Sequence, residues 1–121
     1  MKAIIKNPLT GKDLQIADYN FPKRMNWKEA MNSAKNLGKG WRLPTVFELE
    51  LIRAQLYLNN KGYLPVGEDG YWQRYWSSEL DEHELNAWAV SLHKDEKQTL
   101  SLDGNKCFVR AVKNIRAVKN K

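Results

Sequence analysis

The sequence holds a single cysteine, Cys107, so no disulfide can close within the chain and a reducing compartment is expected. It also lacks any apolar run long enough to span a bilayer. The apolar patch near the N-terminus, Ala3-Ile4-Ile5, is too short for the core of a secretory leader, and a cytoplasmic protein is therefore expected. Acidic residues are missing from the last nine positions, where Lys113, Arg116, Lys119 and Lys121 carry +4 of the formal +6. Residues 1–112 are then nearly balanced, with sixteen basic against fourteen acidic side chains, which argues against a body-wide polyanion surface. Metal motifs are absent too: no zinc spacing and no EF-hand loop occurs. Neither Ser77 nor Ser78 lies in a nucleophile elbow, although a triad could be assembled on paper with His83 or His93.

What is present suits one folded domain. The 121 residues are 42% hydrophobic and 28% charged, and five Trp, five Tyr and three Phe supply large buried area per residue. Such a chain needs neither a disulfide nor a metal to fold, and no cofactor is implied. Residues Lys2 to Lys6 and Leu14 to Tyr19 flank a turn-rich segment, Asn7-Pro8-Leu9-Thr10-Gly11, and predict an N-terminal hairpin. A first helix is predicted from Trp27 to Leu37. Asn26 and Glu29 form its capping box, Gly38 stops it, and Trp27, Ala30, Met31, Ala34 and Leu37 make its buried stripe. A second helix follows Pro44, with Thr45 and Glu48 as capping box and Leu49, Leu51, Ile52, Leu56 and Leu58 as apolar positions, ending near Leu58.

A long connection through Gly62, Pro65, Gly67 and Gly70 leads to four predicted antiparallel strands. These run at Tyr71 to Ser78, Asn86 to His93, Lys97 to Leu102 and Lys106 to Lys113, the last two joined by a tight turn at Asp103-Gly104-Asn105. Trp88, Val90 and Leu92 share one face of their strand. Two helices followed by a strand meander define an α+β class with no doubly wound sheet. The pentapeptide Arg110-Ala111-Val112-Lys113-Asn114 recurs at Arg116 to Asn120, so residues 1–114 are expected to fold and 115–121 to form a basic tail.

Four ordered blocks carry a family resemblance: Gly40-Trp41-Arg42-Leu43-Pro44-Thr45 with Glu48, Tyr75-Trp76-Ser77-Ser78, Asn86-Ala87-Trp88-Ala89-Val90, and Phe108-Val109-Arg110-Ala111-Val112. Together they resemble the DUF1566 family of bacterial domains, which includes the C-terminal domain of the Legionella collagen-like adhesin. The resemblance implies a C-type-lectin-like fold, two helices on a twisted antiparallel sheet. Its members look like adhesins, sugar or glycosaminoglycan binders and variable-protein scaffolds, sharing a scaffold more than a function. The calcium-dependent sugar motifs of such lectins are missing, and enzymes of this fold that generate formylglycine look to need two cysteines where Cys107 stands alone.

Trp41, Trp76 and Trp88 are expected in the core, and Arg42, Glu48 and Arg110 are expected to form a buried ionic network. The acidic loop Glu79-Leu80-Asp81-Glu82-His83-Glu84 offers hard oxygen ligands, although such loops are commonly just solvated. Tyr71, Trp72, Arg74, Tyr75, His83 and His93 are the candidate ligand-facing residues, because Tyr, Trp and Arg dominate binding hot spots. Half of any strand from Tyr71 to Trp76 must nevertheless point inward. The function expected is a non-enzymatic, calcium-independent module for a protein or glycan. The alternative is an anion or nucleic-acid binder using the basic tail.

Overall fold

The chain first reverses where its turn formers cluster. Asn7 accepts the Leu9 N–H on its side chain at 3.0 Å, and Gly11, at φ +70°, donates its N–H to the Asn7 carbonyl at 2.9 Å. That turn joins β1 (Ala3–Lys6) to β2 (Asp13–Ile16), the predicted hairpin. The computed structural model describes residues 3–59, 61, 64, 74–93 and 96–115. Within them two helices pack with two antiparallel sheets, the α+β class expected.

Both helices begin as predicted, each with a complete capping box: Asn26 with Glu29 for α1 (Trp27–Lys35), and Thr45 with Glu48 for α2 (Val46–Gln55). Their ends come earlier than expected. α1 stops at Lys35, and Gly38, at φ +143°, turns the chain toward β3 (Trp41–Arg42), leaving Leu37 about half exposed. α2 gives way to a 3₁₀ turn at Tyr57–Asn59, which carries Leu58 out to solvent. Ala30, Ala34, Leu49, Ile52 and Leu56 are buried as the helical period requires.

The predicted meander is corrected by the sheet topology. β4 (Arg74–Leu80), β5 (Asn86–Ser91) and β6 (Glu96–Ser101) form one sheet in that order, but β6 is not followed by a hairpin partner. Residues 107–111 are held between two other segments. Cys107 bridges Met25, Val109 and Ala111 accept the N–H groups of Phe21 and Ala17, and Phe108 exchanges main-chain bonds with Arg74 and Trp76. The main-chain bonds of Cys107, Phe108, Val109 and Ala111 all run away from β6, so the Asp103-Gly104-Asn105 turn connects two sheets instead of closing a hairpin. The chain then enters β7 (Val112–Ile115), which inserts between β2 and β3 to give the order β1-β2-β7-β3. Ile115, expected to begin the tail, pairs with Asp13; residues 116–121 lie outside the described residues.

β4 and β5 separate two cores. Their alternation sends Tyr75, Val90 and Leu92, with half-buried Trp88, toward α2 and the hairpin residues Ile5, Leu14 and Ile16. It sends Trp76, Ala87 and Ala89 the other way, toward Ala30 and Ala34 of α1 and toward Cys107, Val109 and Ala111. Burying each of the larger side chains stabilises the fold by roughly 1.5–3 kcal/mol.

Candidate functional site

The block from Trp41 to Glu48 forms a clamp. Arg42 grips Glu48 with two parallel hydrogen bonds, Nη1 to Oε1 at 2.7 Å and Nη2 to Oε2 at 2.8 Å, and reaches Leu43 O and Asn114 Oδ1 as well. Glu48 Oε1 also accepts the Thr45 N–H at 2.8 Å, so one carboxylate caps α2 and fastens it to β3. Burial raises the pKa of Glu48, but the hydrogen bonds from Arg42 and Thr45 outweigh it and leave the net value lowered; the same pairing raises Arg42. β4 docks beside this clamp: Ser78 donates its N–H to Pro44 O at 2.8 Å, and Glu79 Oε2 accepts the Val46 N–H at 2.9 Å. Both are partners for the otherwise orphan groups of a helix N-terminus and the segment before it.

Arg110 was expected in the same network and is held elsewhere. Its Nε donates to Asn20 Oδ1 and its Nη1 to Ala17 O, each at 2.8 Å, at 1% exposure. The separation follows from topology: β7 carries Asn114 to Arg42, while Arg110 lies before that strand against the 17–20 segment. Among the indoles, Trp76 is fully buried and donates to Met25 O at 2.7 Å. Trp41 and Trp88 are only half-buried, with Lys113 and Lys97 ammonium groups over their rings at 6.0 and 5.7 Å.

Of the six residues expected to face a ligand, the four that the structure describes do not form one surface. Tyr75 is 2% exposed and its hydroxyl accepts from Asn20 Nδ2 at 2.8 Å, so it is a core residue; its strand parity puts it on the Val90 face under α2. His83 sits in the turn joining β4 to β5, whereas Arg74 lies opposite Ser91 at the far end of the same hairpin, beside His93. The six residues of β5 separate those ends by roughly 17–20 Å. His93 Nδ1 lies 3.1 Å from the Tyr57 hydroxyl, tying the 3₁₀ turn to the end of β5. Tyr71 and Trp72 lie outside the described residues, as do positions 62 and 65–70 of the connecting loop.

At the Arg74 end the fold assembles a basic and aromatic cluster that the sequence does not announce. The Arg24 guanidinium lies 5.7 Å from the centre of the half-buried Phe108 ring, which itself stands 5.8 Å from Tyr75. Burial pushes the Cys107 thiol up to about 12, and the nearby charges of Arg74 and Arg24 only partly oppose it. Arg24 and Phe108 are far apart in the chain, and no local period could have joined them. In the acidic loop, Asp81 uses its carboxylate on the N–H groups of Leu85 and Asn86 and on the Asn86 amide, which lowers its pKa. Glu79 points instead to α2, so these carboxylates diverge, and among the described residues no three potential metal ligands converge.

An open groove of about 430 Å³ lies between β4, β5, β6 and the start of α2, lined by Val46, Glu79, Leu80, Trp88 and Lys97. Trp88 and Lys97 meet through the β5–β6 register, which sets Thr99 opposite Trp88 and Lys97 opposite Val90. That diagonal could have been found by extending the alternation of both strands.

The fold and these surfaces define an α+β domain in which two capped helices are clamped to two antiparallel sheets. The chain belongs to the Lcl C-terminal domain family, whose model matches residues 9–113. The matched span takes in both helices, the Arg42–Glu48 pair, the second core, and the first core apart from Ala3 and Ile5 of β1. No curated protein matches the sequence.

Proposed function

We propose that this domain is a non-enzymatic binding module, built on a C-type-lectin-like scaffold, that recognises a protein or glycan without calcium. The observation that carries the reading is the convergence of Arg24, Phe108 and Arg74 at one end of the β4–β5 hairpin. Arginine beside an aromatic ring supplies contact area and charged donors together, the combination typical of hot spots. Arg74 also continues in sequence into Trp72 and Tyr71, the other candidates. Membership of the Lcl C-terminal domain family, a name associated with adhesins, agrees with a binding role. The motif blocks support it from the other side, because their polar atoms are engaged in capping and docking.

The test is a glycan array and an affinity capture from host lysate with wild type, the Arg24→Ala, Arg74→Ala double variant, and a chain lacking residues 116–121. A ligand bound by wild type and weakened about tenfold or more by the double variant supports the reading. Salt-sensitive binding lost only with residues 116–121 would replace it with the polyanion alternative.

A further inference from the structure

Among the described residues, β1, β3, β4 and β6 are the outer strands of the two sheets, and the first three are short or covered. β1 has four residues, and Gln55 accepts the Lys6 N–H at 3.1 Å and donates to the Lys6 carbonyl at 2.9 Å. β3 has two residues. β4 is closed along its outer side, where Arg74 O and the Trp76 N–H bond Phe108 and the Ser78 N–H bonds Pro44 O. β6 differs. Its six residues pair with β5 in one unbroken register, and no main-chain hydrogen bond among the described residues closes its other side.

The bonds of β4 settle which groups of β6 point outward. Arg74 and Trp76 turn their main-chain groups to Phe108, so Tyr75 between them faces β5 and bonds its partner Val90. Val90 is thereby committed to β4, and its neighbours Ala89 and Ser91 to β6, where they face Gln98 and Glu96. By alternation, Lys97, Thr99 and Ser101 direct their N–H and C=O groups away from the sheet. Glu96 and Lys97 are exposed on opposite faces of the strand, and neither makes an ion pair with a described residue.

A second copy of the chain does not complete this edge. Two antiparallel β6 strands related by a two-fold axis match each face with itself, so Lys97 would meet only Lys97, Thr99 and Ser101, and Glu96 only Glu96, Gln98 and Leu100. A different strand answers both charges. Laid antiparallel, a segment with an acidic residue opposite Lys97 sets its next residue opposite Glu96 and its residue three places earlier opposite half-buried Leu100. We propose that β6 takes up an extended segment of a partner protein as an added antiparallel strand, with the pattern apolar-x-x-acidic-basic. The proposal rests on the reading of the domain as a binding module, and it uses a surface separate from the Arg24, Phe108 and Arg74 cluster.

The experiment is a ¹H–¹⁵N titration of the full chain with the acetylated, amidated peptide Thr-Val-Thr-Thr-Glu-Lys-Thr and with its charge-swapped form Thr-Val-Thr-Thr-Lys-Glu-Thr. The amides of Lys97, Thr99 and Ser101 should shift saturably with the first, at a dissociation constant of about 0.1–1 mM, and the second should bind about threefold to tenfold more weakly. Thr99→Pro removes an outward N–H that β5 does not use, so it should leave the sheet folded and abolish both titrations. Should that variant fail to fold, the double exchange Glu96→Lys, Lys97→Glu serves in its place and should reverse the order of the two peptides. No saturable shift on β6 up to about 5 mM peptide, equal binding of the two peptides, or binding undiminished by Thr99→Pro overturns the proposal. Broadening of the β6 amides with protein concentration alone does so too, since a second copy would then be the occupant. Peptide shifts that persist in the Arg24→Ala, Arg74→Ala variant uphold the edge where the cluster reading fails, and a ligand captured through that cluster with β6 unmoved by peptide sinks the edge alone.

Discussion

Glu48→Ala should lower the unfolding free energy by about 2–3 kcal/mol. Two losses contribute. The Thr45 N–H at the start of α2 loses its 2.8 Å acceptor, a capping defect worth about 1 kcal/mol. Arg42 loses a bidentate partner, but its side chain is 36% exposed against 6% for Glu48, so water recovers part of its hydration. The ion pair is therefore assigned about 1–2 kcal/mol rather than the larger cost of stranding a fully buried charge. For a chain of this length the midpoint of thermal unfolding should fall by about 8–12 °C. Urea unfolding followed by far-ultraviolet circular dichroism measures the loss, and a cycle with Arg42→Ala should return a coupling of about 1 kcal/mol or more.

The same carboxylate sets an acid limit. Its folded pKa lies below the ordinary value of 4.5, so the folded state binds this proton less readily than the unfolded chain does. Its contribution is complete above that ordinary value and disappears as the pH falls through the lowered folded value. Glu48→Gln should retain the cap acceptor, cost less than Glu48→Ala at pH 7, and lose less stability than wild type on acidification below pH 4.5. A Glu48→Ala variant within about 0.5 kcal/mol of wild type, or strict additivity with Arg42→Ala, would refute the clamp.

Asn20→Ala removes hydrogen-bond partners from both Arg110 Nε and the Tyr75 hydroxyl and should cost about 2–3 kcal/mol in chemical unfolding. Asn20→Asp should cost less, since a carboxylate still accepts from Arg110 and the Tyr75 hydroxyl can turn to donate. Cys107, 3% exposed with its thiol pushed up to about 12, should resist a disulfide-exchange reagent at pH 8 until the chain unfolds; stoichiometric labelling of native protein within minutes would contradict its burial.

Both helix starts were legible in the sequence because capping is local. Asn26 with Glu29, and Thr45 with Glu48, are three residues apart, and the reciprocal bonds they make need only a helical backbone between them. The alternation of β5 was legible for a similar reason, since a strand has a period of two wherever it lies. The α+β class followed from the order of those elements, and the blocks around Trp41, Trp76, Trp88 and Arg110 pointed to the family whose model matches residues 9–113. Tertiary structure decided what local pattern cannot encode. It took the last strand away from β6 and placed it between β2 and β3, because residues 107–111 found their main-chain partners in the 17–25 segment and in β4. It turned Tyr75 into the core and Arg110 away from Glu48. It also brought Arg24 to Phe108 and set Val46 of α2 beside Trp88, meetings that no local period encodes. The local periods settle which faces are apolar, and only packing settles what each face meets.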